Sequence, residues 1–368
     1  MNILIFTTCY GSINSIRPEL EIFICLANRG HKVTIVAQEN TEYGQIFKDN
    51  GIKVIDQTPQ RKICFASIKV LREELRSSHY DIIYATNSKA IPNAAFAAIG
   101  FPAKMITYRG TTGGLYRHDP SAYLTHLHPR VDGVICVSNA VRDDVRKQVW
   151  GKKRRDNVVT IYKGHDLAWY DKQPADLSEF GITPSDFVLI CAVNVRPSKG
   201  IPVMIAAADQ LADIPNLHLL LVGKNMEQYA GLIENNRMRE RIHVAGYRYD
   251  APELIVASDL LIQPSISGEG LPRAVMEAMG YGTPAVITTT GGGKEVVTDG
   301  VNGRVVPVND AGAIAAAVRE LYQQPEKIEA MSIECKRAIA ERYSIAQTTT
   351  DFEQFFQRLL NGETSQGR

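Results

Sequence analysis

The sequence predicts an α/β protein of two similar domains, each built around a parallel sheet with helices on both faces. Three observations indicate this class. Short β-rich apolar runs alternate with helical segments from end to end, as in chains of βαβ units. Most of these runs lack polar alternation, which is typical of strands buried on both faces. A polar stretch at 164–186 contains two prolines and separates two halves with the same order of elements.

The first half combines seven predicted strands with two well-marked helices. Pro18 near the start and Gly30 just past the end delimit a helix over 18–29, because proline is tolerated in a first helical turn and glycine often follows a last one. Ser138 is the predicted N-cap of a helix over 139–149. The predicted strands are 3–7, 32–36, 53–55, 81–85, 104–108, 133–137 and 158–162.

The second half repeats this order and then ends in helices. Its predicted strands are 187–193, 218–222, 241–244, 260–263 and 284–287, and its last helical segments are 310–322, 325–342 and 347–360. We therefore divide the chain into an N-terminal domain (1–168), a C-terminal domain (169–345), a C-terminal helix (346–360) and a disordered tail (361–368).

Composition narrows the function classes. The formal net charge of +1 over 368 residues argues against a dedicated nucleic-acid binder, which would carry a basic excess. The N-terminal apolar run is shorter than a signal-peptide core and has no basic segment before it. No stretch approaches the roughly 20 apolar residues of a membrane-spanning helix. Six scattered cysteines without a C-x-x-C pair indicate reduced thiols. We expect a cytoplasmic protein.

A glycine-containing loop and a helix follow the fourth predicted strand of the second half. Ligands of open parallel sheets bind beyond the carboxyl ends of strands, and the amides of a helix start suit a diphosphate, here near Gly270, Leu271 and Pro272. A carboxylate at Glu269 suits sugar hydroxyls, because it would repel a phosphate. Glu277, about one and a half turns into the helix, is placed to accept two ribose hydroxyls. The alternative is one glutamate favoured by the helix dipole and another that is solvated.

Four motifs in the same order resemble those of the retaining glycosyltransferases of family 4. Glu269 and Glu277 form the E-x7-E pattern. The other three are G-H-x-V at 30–33, D-x-V-I-x-x-S at 132–138 and G-G-x-x-E followed by N-G within 291–303. The resemblance covers nearly the whole chain. It implies the GT-B fold, in which two Rossmann-like domains with parallel sheets face each other across a cleft and a C-terminal helix packs back on the N-terminal domain.

The same resemblance implies an activity and its partners. The C-terminal domain would bind a nucleotide-sugar donor, and the N-terminal domain would bind a glycan or lipid-linked acceptor. Transfer would retain the anomeric configuration, in the assembly of bacterial surface polysaccharide or lipopolysaccharide. The first glutamate of the pattern, Glu269, would contact the transferred sugar, and the second, Glu277, would bind the ribose.

Arg196 and Lys199 resemble the arginine–lysine pair of this family, although two residues separate them here instead of the usual four. Such cations stabilise the charge that builds on a leaving diphosphate. With them in place, and with no Asp-x-Asp pair after a strand, we expect neither a metal nor another cofactor. The alternative is a solvated basic loop.

Further residues are assigned by position within the resemblance. Gly11 would let a diphosphate approach the backbone closely, unless it is a plain turn glycine. Gly246 and Tyr247 would contact the nucleotide base, unless Tyr247 is only a rim tyrosine. Arg109 stands where many relatives have a histidine, and it would hold a phosphate or an anionic acceptor. His118 is a second acceptor-side candidate, or part of a surface loop.

Three interpretations remain beside the transferase. The first is a GT-B nucleotide-sugar epimerase, and the second is a catalytically inactive scaffold of the same fold. A nicotinamide-dependent dehydrogenase is disfavoured, since no G-x-G-x-x-G follows the first strand. A basic cluster around Trp150 predicts either peripheral contact with the anionic inner face of the plasma membrane or a solvated loop.

Overall fold

The computed structural model describes residues 1–10 and 13–363, and the chain forms two compact units. Unit 1 consists of Met1–Gly164 and the segment from Tyr343 onward, and unit 2 is His165–Arg342. The domain boundaries that we predicted after residues 168 and 345 lie a few residues C-terminal to the unit boundaries, which fall after Gly164 and Arg342. Most of the tail predicted at 361–368 lies outside the described residues.

Unit 1 is built on one sheet of seven parallel strands. The strands are β1 (Asn2–Phe6), β2 (Lys32–Ala37), β3 (Lys53–Asp56), β4 (Ile82–Ala85), β5 (Lys104–Arg109), β6 (Gly133–Cys136) and β7 (Val158–Thr160). The helices between them are α1 (Ile13–Asn28), α2 (Glu42–Asp49), α3 (Phe65–Ser77), α4 (Ala90–Ala97), α5 (Asn139–Gln148) and α6 (Lys152–Asp156). The strand order is β3-β2-β1-β4-β5-β6-β7.

The sequence explains most of these elements, with one difference at α1. β1 is apolar from Ile3 to Phe6, and these two residues are both 0% exposed, as expected of a central strand. Ser138 caps α5 as predicted, since its hydroxyl accepts from the Val141 amide. The predicted start of α1 at Pro18 is wrong, because the helix begins at Ile13 and contains Pro18. Pro18 is the sixth residue of this helix, beyond the first four N–H groups that lack an intrahelical partner, so its missing N–H removes one intrahelical hydrogen bond.

Unit 2 is built on six parallel strands. They are β8 (Phe187–Ala192), β9 (Leu217–Val222), β10 (Ile242–Gly246), β11 (Leu260–Gln263), β12 (Ala285–Thr288) and β13 (Gly303–Val306). The helices are α7 (Ile201–Asp209), α8 (Ala230–Glu234), α9 (Ala251–Val256), α10 (Arg273–Tyr281), α11 (Gly293–Val296), α12 (Ala311–Gln323) and α13 (Pro325–Glu341). The strand order is β10-β9-β8-β11-β12-β13.

The last helix, α14 (Ile345–Leu360), returns to unit 1. Its Phe355 ring fills the space beside Gly133, where an added Cβ would lie 2.8 Å from the Phe355 Cζ atom. Its Glu353 carboxylate pairs with Arg29 at 2.7 Å and with His31 at 2.8 Å. The prediction that a C-terminal helix packs back on the N-terminal domain is confirmed.

The direction in which strands are added reverses once in each sheet. In unit 1, β2 and β3 lie on one side of β1 and β4 lies on the other. In unit 2, β9 and β10 lie on one side of β8 and β11 lies on the other. The loops after β1 and β4, and those after β8 and β11, therefore leave in opposite directions. Ligands of open α/β sheets bind at such points. The predicted α/β class with two parallel sheets is confirmed.

Candidate active site

Two loops of unit 2 meet where β8 and β11 end, and each contributes a charged side chain. Nζ of Lys199, after β8, lies 2.5 Å from Oε1 of Glu269, after β11. Glu269 is only 6% exposed, whereas the Lys199 side chain keeps 23% of its surface exposed. The structure thus brings together two of the three predicted catalytic residues, with the carboxylate buried and the cation partly open to solvent.

Two buried neighbours hold the Glu269 carboxylate. The Ser265 hydroxyl donates to Oε1 at 2.5 Å, and the Gln263 side-chain amide donates to the same oxygen at 3.1 Å. Among the described residues, Oε2 of Glu269 has no hydrogen-bond partner. Oε2 is therefore available to a ligand hydroxyl. We did not predict either neighbour from the sequence. Their only signal is a polar residue at the end of an apolar buried strand.

The backbone fixes how closely the two loops approach. The Ile266 amide donates to the Ser198 carbonyl at 2.8 Å. Gly200, with φ of +67°, lies so near that an added Cβ would stand 2.0 Å from the carbonyl oxygen of Pro264. A glycine is required there by both conformation and space.

The helix start that we predicted at 271–272, as a site for a diphosphate, lies at Arg273. α10 begins at Arg273, and Pro272 is its N-cap in an extended conformation, so Leu271 and Pro272 precede the first turn. Among the residues that the structure describes, no side chain caps this helix start. Its first amides, together with the loop at Gly270, therefore remain available to an anion.

Glu277 lies in the second turn of α10 as a largely buried carboxylate. Burial raises its pKa to about 7, and the Arg273 guanidinium, 3.6 Å away, only partly opposes the shift. Glu277 accepts no hydrogen bond from the described residues. A poorly compensated carboxylate of this kind is a candidate for a ligand contact.

The side chain of Arg196, the third predicted catalytic residue, takes no part in this ion pair. Arg196 is exposed, and its side chain forms no ion pair with the residues that the structure describes. Its carbonyl accepts the Lys199 amide at 2.9 Å, so Arg196 shapes the turn that carries Lys199.

A second cluster lies at the carboxyl ends of β8, β9 and β10. The Lys224 ammonium lies 4.8 Å from the centre of the Tyr247 ring, which is 46% exposed. The Gly246 carbonyl accepts from the Gly223 amide at 2.7 Å, and the Asn194 side chain accepts from the Lys224 amide at 3.2 Å. We did not predict Lys224 and Asn194 from the sequence, because neither belongs to a motif.

The acceptor-side candidates of unit 1 have different environments. The Arg109 guanidinium donates to the carbonyls of Thr111 and Gly113 in its own loop, and its burial lowers its pKa. His118 is exposed and stacks on Tyr116 at 5.4 Å. Gly11 lies outside the described residues.

Within residues 1–10 and 13–363, no group of three or more His, Cys, Asp or Glu side chains has the arrangement of a metal site. Over the same ranges, no helix combines the length and the hydropathy that a membrane crossing requires.

Comparisons with known families match both halves of the chain. The family described as Glycosyltransferase Family 4 matches residues 20–169, and the family described as Glycosyl transferases group 1 matches residues 172–337. The two matches meet near the boundary between the two units.

Individual relatives are similar over most of their length. N-acetyl-alpha-D-glucosaminyl L-malate synthase of Bacillus anthracis is 26% identical, over 99% of each chain. UDP-Gal:alpha-D-GlcNAc-diphosphoundecaprenol alpha-1,3-galactosyltransferase of Escherichia coli is 22% identical, over 90% of each chain. The solved structure of Anabaena HepE in complex with UDP has a TM-score of 0.76 at 20% identity, over 97% of this chain and 100% of HepE. At that identity the structural likeness concerns the fold alone.

Proposed function

The chain belongs to family 4 of the glycosyltransferases, and we propose that it is a retaining enzyme that moves a sugar from a nucleotide-sugar donor to a glycan or lipid-linked acceptor. The observation that carries this proposal is the Glu269 carboxylate, which is buried beside Lys199 and has one oxygen that accepts no hydrogen bond from the described residues. That arrangement suits a sugar hydroxyl next to a leaving phosphate.

In the proposed reaction, the bond between the anomeric carbon and the phosphate oxygen breaks, and the acceptor oxygen bonds to the same face of that carbon. The departing phosphate oxygen takes the proton of the acceptor hydroxyl. Negative charge builds on the diphosphate, where a preorganised cation stabilises it. Lys199 carries N–H donors beyond the one facing Glu269. We therefore assign Lys199 to the diphosphate, with Arg196 as a second, more exposed cation and no metal cofactor.

The remaining donor contacts follow from α10 and its flanking loop. The amides near 270–272 and at the start of α10 would bind the diphosphate. Oε2 of Glu269 would accept a hydroxyl of the transferred sugar, and Glu277 would accept the ribose hydroxyls. Tyr247, with Gly246, would bind the base, because an exposed ring already paired with a lysine offers a stacking face. Gly11 keeps its predicted role near the diphosphate.

A uridine nucleotide is the donor class that we place first. HepE binds UDP, and the name of the Escherichia coli relative specifies UDP-Gal as donor and a diphosphoundecaprenol-linked sugar as acceptor. By analogy, we propose a cytoplasmic role in the assembly of a bacterial surface polysaccharide or lipopolysaccharide.

A peripheral contact with the plasma membrane belongs to the same proposal. Trp150 is 59% exposed, Arg117 stacks on it at 4.5 Å, and exposed Lys152, Lys153 and Arg155 follow it. A basic surface around an exposed tryptophan suits anionic headgroups. Flotation with phosphatidylglycerol vesicles tests this contact: Trp150→Ala should weaken it, and Ile333→Ala, at a residue 65% exposed in unit 2, should not. If both variants float with the vesicles equally well, the proposed membrane contact through Trp150 is wrong.

A ligand screen tests the donor assignment. A donor that binds only the folded state must raise the unfolding temperature. We expect a UDP-sugar to do so more than GDP-, ADP- or dTDP-sugars, and Glu277→Ala to reduce the shift. If no nucleotide sugar changes the unfolding temperature, the proposal is wrong.

Product analysis separates the transferase from its two rivals. Incubation with donor alone should give no isomerised sugar, whereas an epimerase would produce it. Addition of an acceptor extract should give a glycosylated product by mass spectrometry, which a catalytically inactive scaffold would not form.

A further inference from the structure

A polar cluster outside the donor residues lies in unit 1. The Thr7 hydroxyl, directly after β1, is 2.8 Å from the Thr86 hydroxyl, directly after β4. Thr7 also donates to Oε1 of Glu19 at 3.2 Å. Oε2 of Glu19 pairs with Nζ of Lys163 at 2.7 Å, and that ammonium lies 4.7 Å from the centre of the Tyr108 ring.

The cluster lies where the direction of strand addition reverses in the sheet of unit 1. β1 and β4 are neighbours, and the chain leaves them toward opposite sides. The carboxyl ends of two such strands form the usual ligand crevice of an open parallel sheet. Thr7 and Thr86 are the first residues beyond these ends.

The charged pair keeps capacity for further hydrogen bonds. The Glu19 and Lys163 side chains are 19% and 27% exposed, so both are reachable from solvent. A carboxylate has about four lone-pair sites and an ammonium three donors. The described contacts to Glu19 are those from Thr7 and Lys163, which leaves further acceptor sites on its two oxygens.

The electrostatics of the cluster favour a neutral ligand. Burial alone would lower the pKa of Lys163, but the Glu19 carboxylate and the Tyr108 hydroxyl together outweigh burial and hold that pKa above its usual value. The Lys163 ammonium and the Glu19 carboxylate form an ion pair, which adds no net charge to the cluster. An anion placed there would meet the carboxylate as well as the ammonium. Arg109, the residue predicted to hold an anionic acceptor, is already bonded to the carbonyls of its own loop.

We infer that Glu19, Lys163 and Thr86 bind vicinal hydroxyls of a neutral sugar at the acceptor end of the reaction, with the buried Thr7 hydroxyl holding Glu19 and Thr86 in place. The carboxylate accepts from one hydroxyl, and the ammonium donates to its neighbour. The inference rests on the proposed function, and it narrows the acceptor to a neutral glycoside rather than a small hydroxy acid.

Ligand-observed saturation-transfer NMR with the full chain and UDP tests the ligand class. The probes are the methyl α-glycosides of glucose, galactose, mannose and N-acetylglucosamine, and L-tartrate as an anionic polyol. We expect saturation of at least one glycoside and none of tartrate. Binding of tartrate alone, or of no glycoside, would overturn the inference.

Variants then assign the binding to this cluster. The double variant Glu19→Gln/Lys163→Met should weaken glycoside binding about tenfold or more, because a site built for hydroxyls loses both partners. Its matched control is Glu74→Gln/Lys53→Met, which removes the 2.8 Å ion pair between α3 and the start of β3. The control should bind the glycoside as the wild type does. Equal binding by both double variants would refute the assignment.

A milder variant and a separate readout keep the test decisive if the double variant folds poorly. Thr86→Val removes one hydroxyl at nearly constant shape and should weaken glycoside binding about 3- to 10-fold. The rise in unfolding temperature caused by UDP should stay unchanged in all these variants. If UDP stabilises the wild type but Thr86→Val leaves glycoside binding intact, the acceptor inference fails while the donor proposal stands. If UDP has no effect on the wild type, the donor proposal fails on its own.

Discussion

The carbonyl oxygen of Glu269 lies 2.0 Å from the position that a Cβ atom would take on residue 291. Gly291 also has φ of +39°, a conformation that L-residues rarely adopt. The loop after β12 therefore closes directly on the backbone of the proposed sugar-binding carboxylate. This contact gives a physical reason for the first glycine of the G-G-x-x-E motif.

Gly291→Ala should consequently impair activity through the position of Glu269. The new methyl group has to displace the Glu269 carbonyl, because backbone atoms cannot rotate out of its way. We expect kcat to fall about tenfold or more, with a lower unfolding temperature. The control is Gly231→Ala in α8, where nothing lies within 4 Å of an added Cβ. Full activity of Gly291→Ala would show that the Glu269 position does not matter for transfer.

Removal of the Lys199 ammonium tests the assignment of the diphosphate cation. Loss of one preorganised charge at a developing anion typically lowers kcat about 100- to 1000-fold, and we expect Lys199→Met to fall in that range. Arg196→Met should have a smaller effect, since Arg196 is exposed and unpaired among the described residues. The matched control is Lys69→Met, at a side chain 78% exposed in unit 1.

Initial rates at saturating donor and unfolding temperatures separate chemistry from stability in this series. Lys199→Met leaves Glu269 with its Ser265 and Gln263 donors, so the fold should persist. An unchanged kcat in a folded Lys199→Met protein would exclude Lys199 from catalysis.

The sequence predicted the sheets better than the contacts between their loops. Strands such as β1 and β8 are recognisable in the sequence as apolar runs, because both faces of each strand are buried. β13 was missed because it has four residues and begins at Gly303, which is a poor strand former. The GT-B fold implied by the resemblance is confirmed, since the strand order and the solved structures agree with it.

Long-range side-chain contacts had no local signal. Lys199 and Glu269 are 70 positions apart, and only the family resemblance placed them in one site. Lys163 and Glu19 are 144 positions apart, and no pattern in the sequence predicts that they meet. The strand order places β7, which precedes Lys163, four strands from β1, so the contact depends on the path of the segment after β7.

Donor binding should depend on pH through Glu277. Its pKa in the folded protein is about 7, so below that pH the carboxyl is protonated and accepts hydroxyl hydrogens less well. We expect donor affinity to fall as the pH drops from about 8 to about 6, because this window spans the raised pKa of Glu277. Glu277→Gln should bind the donor weakly and without this pH dependence, as measured by calorimetry. A pH dependence that persists in Glu277→Gln would assign the titration to another group.

The contribution of Glu277 to the free energy of unfolding should change with pH in the opposite direction to donor affinity. The folded pKa of Glu277 lies above its unfolded value, so the neutral carboxyl stabilises the fold at low pH, and this contribution is lost as the pH rises through about 7. Without ligand, Glu277→Gln should therefore raise the free energy of unfolding more at about pH 8 than at about pH 4. Urea titrations at both values measure the difference. A larger gain at low pH would contradict the burial of this carboxylate.

Acid should weaken unit 2 through a histidine pair on neighbouring strands. His218 of β9 and His243 of β10 stack with 2.9 Å between Nδ1 and Nε2, beside Asp186 and the Phe180 ring. Burial lowers the pKa of His243 to about 4, so its neutral form stabilises the fold fully above the unfolded pKa, about 6.5, and this contribution is lost as the pH falls toward 4. His243→Phe should flatten the decline of the unfolding temperature over that window, because the protonation of His243 and its repulsion of His218 are removed. His79→Phe, at an exposed histidine of unit 1, is the control that should keep the wild-type slope. An identical slope in His243→Phe would mean that the pair does not limit acid stability.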